Sequence, residues 1–179
     1  LVEFLSAIFT FLCINEFGWT LHGASAVILS YVLISLACID YESGLLPDSI
    51  TIPFLWVGLI LNYFDAITSF EKAFWGALFG YLILWAVYQG FKLLTKKEGM
   101  GFGDFKMLAM LGAWLGAVSI PAIIMISSIS CLILVSFLSL KGRDLTQPVS
   151  FGPFLAFAGF TLIFWGEELS SLYLNGVIS

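Results

Sequence analysis

The chain has 179 residues, of which 60% are hydrophobic and only 11% are charged, less than half the charged fraction of an ordinary soluble domain. Seven Lys and Arg stand against twelve Asp and Glu, for a formal net charge of −5 at pH 7. These figures exclude a disordered chain and argue against a nucleic-acid partner. A lipid bilayer is the expected surrounding, and an all-α bundle of membrane-spanning helices is the expected fold class.

Uncharged apolar runs predict about seven transmembrane segments in one domain covering residues 1–179, because a span needs about 20 mostly apolar residues. The run 107–140 is long enough for two spans, and Ser119-Ile120-Pro121 is its natural break since Pro starts a helix better than it continues one. Glu3 lies inside the first segment and requires pairing or neutralisation. The approximate spans are 1–15, 22–39, 49–65, 73–93, 104–118, 121–140 and 150–167.

The three cysteines and the first residues of the chain carry little functional signal. Cys13, Cys38 and Cys131 lie singly in apolar runs without CxxC spacing, so we expect packing roles and no zinc or other metal site in this chain. The chain begins at Leu1, already inside an apolar run and without the basic start of a signal peptide. We therefore expect it to be part of a longer protein.

The basic residues predict the orientation of the segments, because short cytoplasmic loops hold an excess of Lys and Arg. Six of the seven basic residues fall beside the loops that join segments four to five and six to seven, and Lys72 is the exception. This pattern predicts that both loops, and the helix ends beside them, face the cytoplasm. The six are Lys92, Lys96, Lys97, Lys106, Lys141 and Arg143.

Carboxylates at the ends of apolar helices are the strongest functional candidates, because ionisable groups at the membrane edge are costly. Asp40 ends the uncharged run 23–39, at a helix C-terminus where negative charge is disfavoured. Asp104 follows three alternating glycines, 99, 101 and 103, which we expect to allow backbone conformations closed to other residues. Asp48 has the plainer interpretation of a helix N-cap within Pro47-Asp48-Ser49.

Asp40 and Asp104 could together form an acid/base pair that activates water, in which one carboxylate accepts a proton while the other polarises a carbonyl. The C-terminus of the second helix should raise the pKa of Asp40, and the N-terminus of the fifth helix should lower the pKa of Asp104. We therefore expect Asp104 to start as the base and Asp40 as the acid. The pair would titrate jointly, so this assignment describes one protonation state of the two groups.

Three strings place the chain beside a known family. IDYESGLLPDSITIPFLWVGLI (39–60), EGMGFGDFKMLAMLGAWLG (98–116) and SFGPFLAFAG (150–159) closely resemble the bacterial type IV prepilin leader peptidases, membrane aspartic proteases of the GxGD type. The resemblance runs over nearly the whole chain. It implies that Asp40 and Asp104 are the catalytic aspartates and that Gly101 and Gly103 belong to the GxGD element. Pro47-Asp48 matches the end of the family's first motif without a catalytic role.

The resemblance also implies the substrates, the cofactors and the location. Family members cut the basic leader from type IV prepilins and type II secretion pseudopilins at the cytoplasmic face of the bacterial inner membrane, without a cofactor. Many then methylate the new N-terminus with S-adenosylmethionine. The family's N-terminal segment with paired CxxC zinc ligands does not occur in this sequence, which puts zinc and methyl transfer in doubt more than proteolysis.

Two further acidic residues have substrate-binding interpretations. Glu42 and Asp48 lie where the basic leader would arrive and are candidate contacts for it, although Glu42 has the plainer interpretation of a solvated loop residue. Lys106 is two residues past Asp104 and is expected to anchor the helix at the inner interface rather than to tune the aspartate.

Other functional classes remain open from the residues alone. A divalent-metal phosphotransferase could use Asp40, Asp48 and Asp104 to hold a metal against a lipid phosphate. The single Arg and the lack of a phosphate-binding loop argue against it. An ion-coupled transporter would also place carboxylates in spans, but no inverted repeat is evident. A noncatalytic membrane scaffold is the third alternative.

Overall fold

A computed structural model describes residues 2–96, 101–141 and 149–178. Lys97, Glu98, Gly99 and Arg143, which the sequence analysis names, lie outside the described residues. The described part of the chain folds into helices joined by short turns, which confirms the all-α class. The helices are α1 (Val2–Phe17), α2 (Leu21–Ser43), α3 (Asp48–Tyr63), α4 (Phe70–Thr95), α5 (Phe102–Leu115), α6 (Ile120–Leu140) and α7 (Gly152–Ile178).

Three helical stretches in the described residues are long and apolar enough to cross a bilayer: α2, α4, and α6 together with the 3-10 turn Ala117–Ser119 before it. Two shorter apolar helical stretches accompany them, α3 and the Gly152–Gly166 part of α7. The chain is therefore a helical membrane protein. α6 begins at Ile120 with Pro121 in its first turn, so the run 107–140 is interrupted where the proline predicts.

Helix α5 has 14 residues, which at 1.5 Å per residue span about 21 Å, less than the roughly 30 Å of hydrocarbon in a bilayer. It lies in the centre of the bundle and packs against α3, α4 and α7. Asp104, Phe105 and every residue from Met107 to Leu115 are buried. A central helix covered on all sides by other helices can be short, since its ends need not reach either interface.

Small residues allow α4 and α5 to approach closely. A Cβ atom added to Gly76 would collide with the carbonyl oxygen of Gly112, and one added to Gly112 would collide with the carbonyl of Gly76. One turn further along α4, a Cβ at Gly80 would lie 2.7 Å from the carbonyl oxygen of Leu108. Backbone-to-backbone contact of this kind is the usual way in which membrane helices gain packing energy.

Asn62 fixes the end of α5 that lies away from Asp104. Its amide nitrogen donates hydrogen bonds of 2.9 Å to the carbonyl oxygens of Ala113 and Trp114. Its amide oxygen accepts bonds of 3.1 Å from the backbone N–H groups of Ile67 and Thr68. One buried side chain therefore satisfies two of the free carbonyls at the C-terminus of α5 and joins them to the α3–α4 turn.

Glu3 and the tryptophans lie in distinct environments. Glu3 is exposed on α1. Trp19 and Trp56 are largely exposed, at 92% and 60% of their surface. Trp114 is fully buried and donates a 2.8 Å hydrogen bond to the carbonyl oxygen of Phe54.

Candidate active site

Four helix ends meet at one end of the bundle and enclose an open cleft of about 730 Å³. The wall is formed by the last turn of α2, the α2–α3 loop 44–46, the first turns of α3 and α5, and residues 149–151 before α7. Both Asp40 and Asp104 line this cleft. Residues 64 positions apart in the sequence are thus brought to one cavity by the antiparallel arrangement of the helices that carry them.

Asp40 lies in the last turn of α2 and is 4% exposed. Its carboxylate oxygen Oδ2 accepts a 2.9 Å hydrogen bond from the backbone N–H of Gly152, the first residue of α7. Its backbone carbonyl oxygen accepts bonds from the Ser150 hydroxyl at 2.9 Å and from the N–H of Gly44 at 2.8 Å. Both the side chain and the backbone of Asp40 are therefore fixed by neighbouring elements.

Gly44 ends α2 and turns the chain towards α3. It adopts a left-handed conformation, with φ of +66° and ψ of +17°, and its N–H closes the last turn on Asp40. An L-residue with a side chain rarely takes this conformation, so glycine suits the position. The turn leads the loop 44–46 across the cleft and towards the first turn of α5.

Asp104 is the third residue of α5 and is 8% exposed. Burial and, to a smaller extent, the nearby charge of Asp40 raise the pKa of Asp104 to about 7, against the lowering effect of a backbone hydrogen bond from Gly101. The expectation that the helix N-terminus lowers this pKa is wrong, because desolvation of the charged form outweighs the favourable helix end. With a pKa near 7, Asp104 can hold a proton at neutral pH and can therefore serve as a proton donor, the role that the expected assignment gave to Asp40.

The glycines before Asp104 provide space rather than unusual backbone angles. Gly101 has φ of −76° and ψ of 145°, which other residues adopt readily, and Gly103 is not among the glycines with positive φ. A Cβ at Gly103 would lie 2.8 Å from the Cβ of Leu46. The expectation of special conformations is therefore wrong for Gly101 and Gly103, and Gly103 instead allows the α2–α3 loop to lie against α5.

Asp48 and Lys106 form an ion pair at the cleft. The Nζ of Lys106 donates to both carboxylate oxygens of Asp48, at 2.7 and 2.6 Å. The N-cap of α3 is Pro47, and no side chain caps this helix, so the interpretation of Asp48 as a cap is wrong. Asp48 occupies the first turn of α3 and holds the N-terminal part of α5 beside it.

Glu42 lies outside the set of residues that line the cleft. It is exposed in the last turn of α2, which agrees with its plainer interpretation as a solvated residue.

Pro47 is the N-cap of α3, and its backbone carbonyl oxygen accepts hydrogen bonds of 3.1 Å from the N–H groups of Ile50 and Thr51.

Sequence reasoning missed Ser150 and Gly152, although both lie in the third string of the resemblance. Neither carries a charge, and their contacts with Asp40 join positions 110 and 112 residues apart. The dipeptide Gly152-Pro153 could have indicated a contact here. Proline is typical of the first turn of a helix, where backbone N–H groups have no partner within the helix and can bind a carboxylate.

Carboxylate, thiol and imidazole groups do not gather into a metal site among the described residues, where no cluster of three or more is found. Lys106 already neutralises the Asp48 carboxylate. Cys13 is buried with its sulfur 3.7 Å from the hydroxyl of Ser30. The arrangement can perform acid/base chemistry with two carboxyl groups, but its described residues do not fit a zinc ion.

Comparison with known proteins gives a consistent result. Residues 27–136 match the model of the type IV leader peptidase family. The chain is 44% identical over 161 residues to a prepilin leader peptidase/N-methyltransferase of Stutzerimonas stutzeri, covering 89% of this chain and 56% of that protein. It is 43% identical over 176 residues to the protein of the same name in Pseudomonas aeruginosa, covering 98% and 61%. The chain thus spans about three fifths of the length of these relatives, and no solved structure matches it significantly.

Proposed function

The chain belongs to the type IV leader peptidase family, and on that premise we propose that it is a membrane-embedded aspartic endopeptidase that removes the basic leader of type IV prepilins and type II secretion pseudopilins. The observation that carries the proposal is the position of Asp40 and Asp104. Two buried carboxyl groups from different helices line one cleft at one end of the bundle, which offers an acid and a base to a substrate bound there.

The proposed mechanism uses Asp40 as the base and Asp104 as the acid. Asp40, whose Oδ2 accepts a hydrogen bond, acts as the base and takes a proton from water as the water oxygen adds to the scissile carbonyl carbon. Asp104, with a pKa raised to about 7, donates its proton to the carbonyl oxygen. When the tetrahedral intermediate collapses, the proton on Asp40 passes to the leaving amine nitrogen and the C–N bond breaks. The intermediate's hydroxyl returns its proton to Asp104.

The cleft suits a substrate with a basic segment followed by an apolar helix. Asp48 is paired with Lys106 and Asp104 carries its proton as the acid, so the Asp40 carboxylate gives the cleft a net negative charge, which favours a cationic leader. The exposed apolar side chains of the surrounding helices suit the apolar helix of the substrate within the bilayer. We propose that the leader enters the cleft while the helix remains in the membrane.

The proposed membrane is the bacterial inner membrane, with the cleft towards the cytoplasm. Lys92 and Lys96 lie at the end of α4, Lys106 in α5 close to its start, and Lys141 just after α6. The cleft is formed at this same end of the bundle. An excess of basic residues at one end supports a cytoplasmic location for it.

The proposal is tested with purified protein in detergent and a prepilin as the substrate. Wild type is compared with Asp40→Asn and Asp104→Asn, each with and without a chelator. We expect cleavage that resists the chelator and that falls by at least about 10³-fold in both variants, the order of loss for a group that transfers the reacting proton. Cleavage that survives either substitution would contradict the assignment of the two aspartates.

Two further outcomes separate the alternatives. Loss of activity with chelator would favour the metal-dependent phosphotransferase, and proton-coupled flux in vesicles without cleavage would favour a transporter. Neither activity in any assay would leave the noncatalytic scaffold. Methyl transfer is measured separately, with labelled S-adenosylmethionine and cleaved substrate, and cleavage without labelling would restrict the function to that of a peptidase.

A further inference from the structure

We propose that the N-terminus of α7 is the element that positions Asp40 for catalysis, with Gly152 as the positioning residue. Its backbone N–H holds one carboxylate oxygen, Oδ2, and leaves the other oxygen, Oδ1, to accept the proton from water. This inference rests on the proposed function, because it assigns the orientation of the proposed base. It gives a role in the reaction to the string around Gly152, which contains no ionisable side chain.

The contact between Gly152 and Asp40 is buried and direct. The N–H of Gly152 donates to Oδ2 of Asp40 at 2.9 Å, and both residues are buried. A helix N-terminus carries a partial positive charge, and its first N–H groups lack partners within the helix, so a carboxylate is a favourable partner there. The next residue, Pro153, has no backbone N–H. Gly152 therefore supplies the first backbone hydrogen-bond donor of α7.

Ser150 supplies a second contact to the same residue. Its hydroxyl donates to the backbone carbonyl oxygen of Asp40 at 2.9 Å. The backbone and the carboxylate of Asp40 are thus held by two residues that lie two positions apart at the start of α7. Two attachments of this kind fix the rotation of the Asp40 side chain as well as the position of its Cα.

The position next to Asp40 requires glycine for lack of space. A Cβ at Gly152 would lie 2.6 Å from Oδ2, 2.9 Å from Cγ and 3.1 Å from Cβ of Asp40. The first two distances are shorter than those that real Cβ atoms show, so any side chain at position 152 must displace the Asp40 carboxyl group or the start of α7. The carboxyl group and the helix therefore fit each other only while residue 152 has no side chain.

A displaced base affects the rate of reaction more than the binding of substrate. Misplacement of a catalytic group by about 1 Å can cost about 100-fold in rate. For Gly152→Ala we expect kcat to fall by about that factor, while KM for the prepilin changes less than about two-fold. Ser150→Ala should show a smaller loss of kcat, and Ser150→Thr should restore most of it because the hydroxyl remains.

Gly159→Ala is the matched control. Gly159 lies two turns further along α7, and a Cβ there would meet side-chain methyl carbons, at 2.7 Å from Leu111 Cδ2 and 2.9 Å from Leu33 Cδ1. This substitution also crowds the packing of α7, but it does so away from the cleft. We expect it to lower the melting temperature in detergent with kcat within about three-fold of wild type, whereas equal losses of kcat in both variants would overturn the positioning role.

A double-mutant cycle tests the contact without any assay of cleavage. Gly152→Ala is combined with Asp40→Ala, which removes the two atoms that a Cβ at position 152 would approach most closely. We expect Gly152→Ala to lower the melting temperature, or prevent folding, in the wild-type background and to cost clearly less beside Asp40→Ala. Additive effects would overturn the inference. Failure of all variants, wild type included, to cleave a prepilin would instead refute the proposed function and leave the cycle interpretable.

Discussion

The ammonium group of Lys106 lies 2.7 and 2.6 Å from the two carboxylate oxygens of Asp48. The pair joins the first turn of α3 to α5 at the edge of the cleft that contains Asp40 and Asp104. Both side chains keep contact with water, with 30% of Lys106 and 55% of Asp48 exposed. A cationic leader that approaches Asp48 must therefore compete with an internal cation.

Removal of Lys106 should strengthen the binding of a basic leader. Lys106→Gln frees the Asp48 carboxylate, and we expect KM for a prepilin to fall by about two- to five-fold, the equivalent of roughly 0.5–1 kcal/mol for a partly exposed ion pair. Asp48→Asn should raise KM by a similar factor, because it leaves the Lys106 cation unpaired. The double variant should return KM close to wild type. Steady-state cleavage at low salt measures all three.

Salt and a distant lysine provide the controls for this prediction. At 1 M salt the screening length falls to about 3 Å, and the differences in KM should largely vanish. Lys72→Gln removes the same charge from the first turns of α4, away from the cleft, and should leave KM unchanged. A rise in KM for Lys106→Gln would show that the pair supports the cleft and does not compete with the leader.

The raised pKa of Asp104 predicts how stability depends on pH. An unfolded Asp has a pKa of about 3.9, so between about pH 4 and pH 7 the unfolded chain releases this proton while the folded chain retains it. The folded state then binds more protons, and the free energy of unfolding falls as pH rises, by at most on the order of 4 kcal/mol. Asp104→Asn removes this loss. Its melting temperature relative to wild type should therefore increase from pH 4 to pH 7.

The same group should limit the rate of cleavage in alkaline solution. As the acid of the proposed mechanism, Asp104 must hold its proton, so kcat should decline as pH rises above about 7.

Asp65→Asn is the control for the stability prediction, because Asp65 is exposed in the α3–α4 turn with φ of 52°, which Asn tolerates. The melting temperature of Asp65→Asn should depend on pH in the same way as that of wild type. In the rate measurement, a wild-type kcat that increases through pH 8 would contradict Asp104 as the acid.

The sequence predicts the helices and singles out Asp40 and Asp104 because its apolar runs are long and its charges are rare. Asp40 and Asp104 are isolated carboxylates at the ends of such runs and are therefore easy to recognise. The partner of Asp48 could not be predicted in the same way. Lys106 lies 58 residues away, and only the packing of α5 beside α3 brings the two together.

The raised pKa of Asp104 shows where the rule that a helix N-terminus favours a charged carboxylate fails. Its place in the first turn of a helix favours the charged form, and the sequence contains no measure of how deeply the cleft is buried. The role of Gly152 is hidden for a different reason, since a backbone N–H is common to nearly every residue. Contacts made by the backbone become visible only when the position of α7 relative to α2 is known.

Asn62 is expected to be essential for the stability of the central helix. It is 1% exposed and makes four hydrogen bonds, to two carbonyls at the end of α5 and two N–H groups of the α3–α4 turn. Asn62→Ala leaves these buried groups without their partner, at a cost of about 2–4 kcal/mol. Thermal unfolding in detergent measures the loss. Asn15→Ala, at an exposed position of α1, is the control and should change stability by less than about 0.5 kcal/mol.

The contact between α4 and α5 predicts opposite effects for two Gly→Ala substitutions. At Gly112 the new methyl group would collide with the backbone of α4 at Gly76, so the helices must separate, and we expect a loss of about 1–3 kcal/mol. At Gly90 the Cβ would enter open space, and the lower entropy cost of Ala in a helix should stabilise the protein by about 0.5–1 kcal/mol. Melting temperatures of the two variants should thus lie on opposite sides of wild type. A Gly112→Ala protein as stable as wild type would show that this contact does not hold α5 in place.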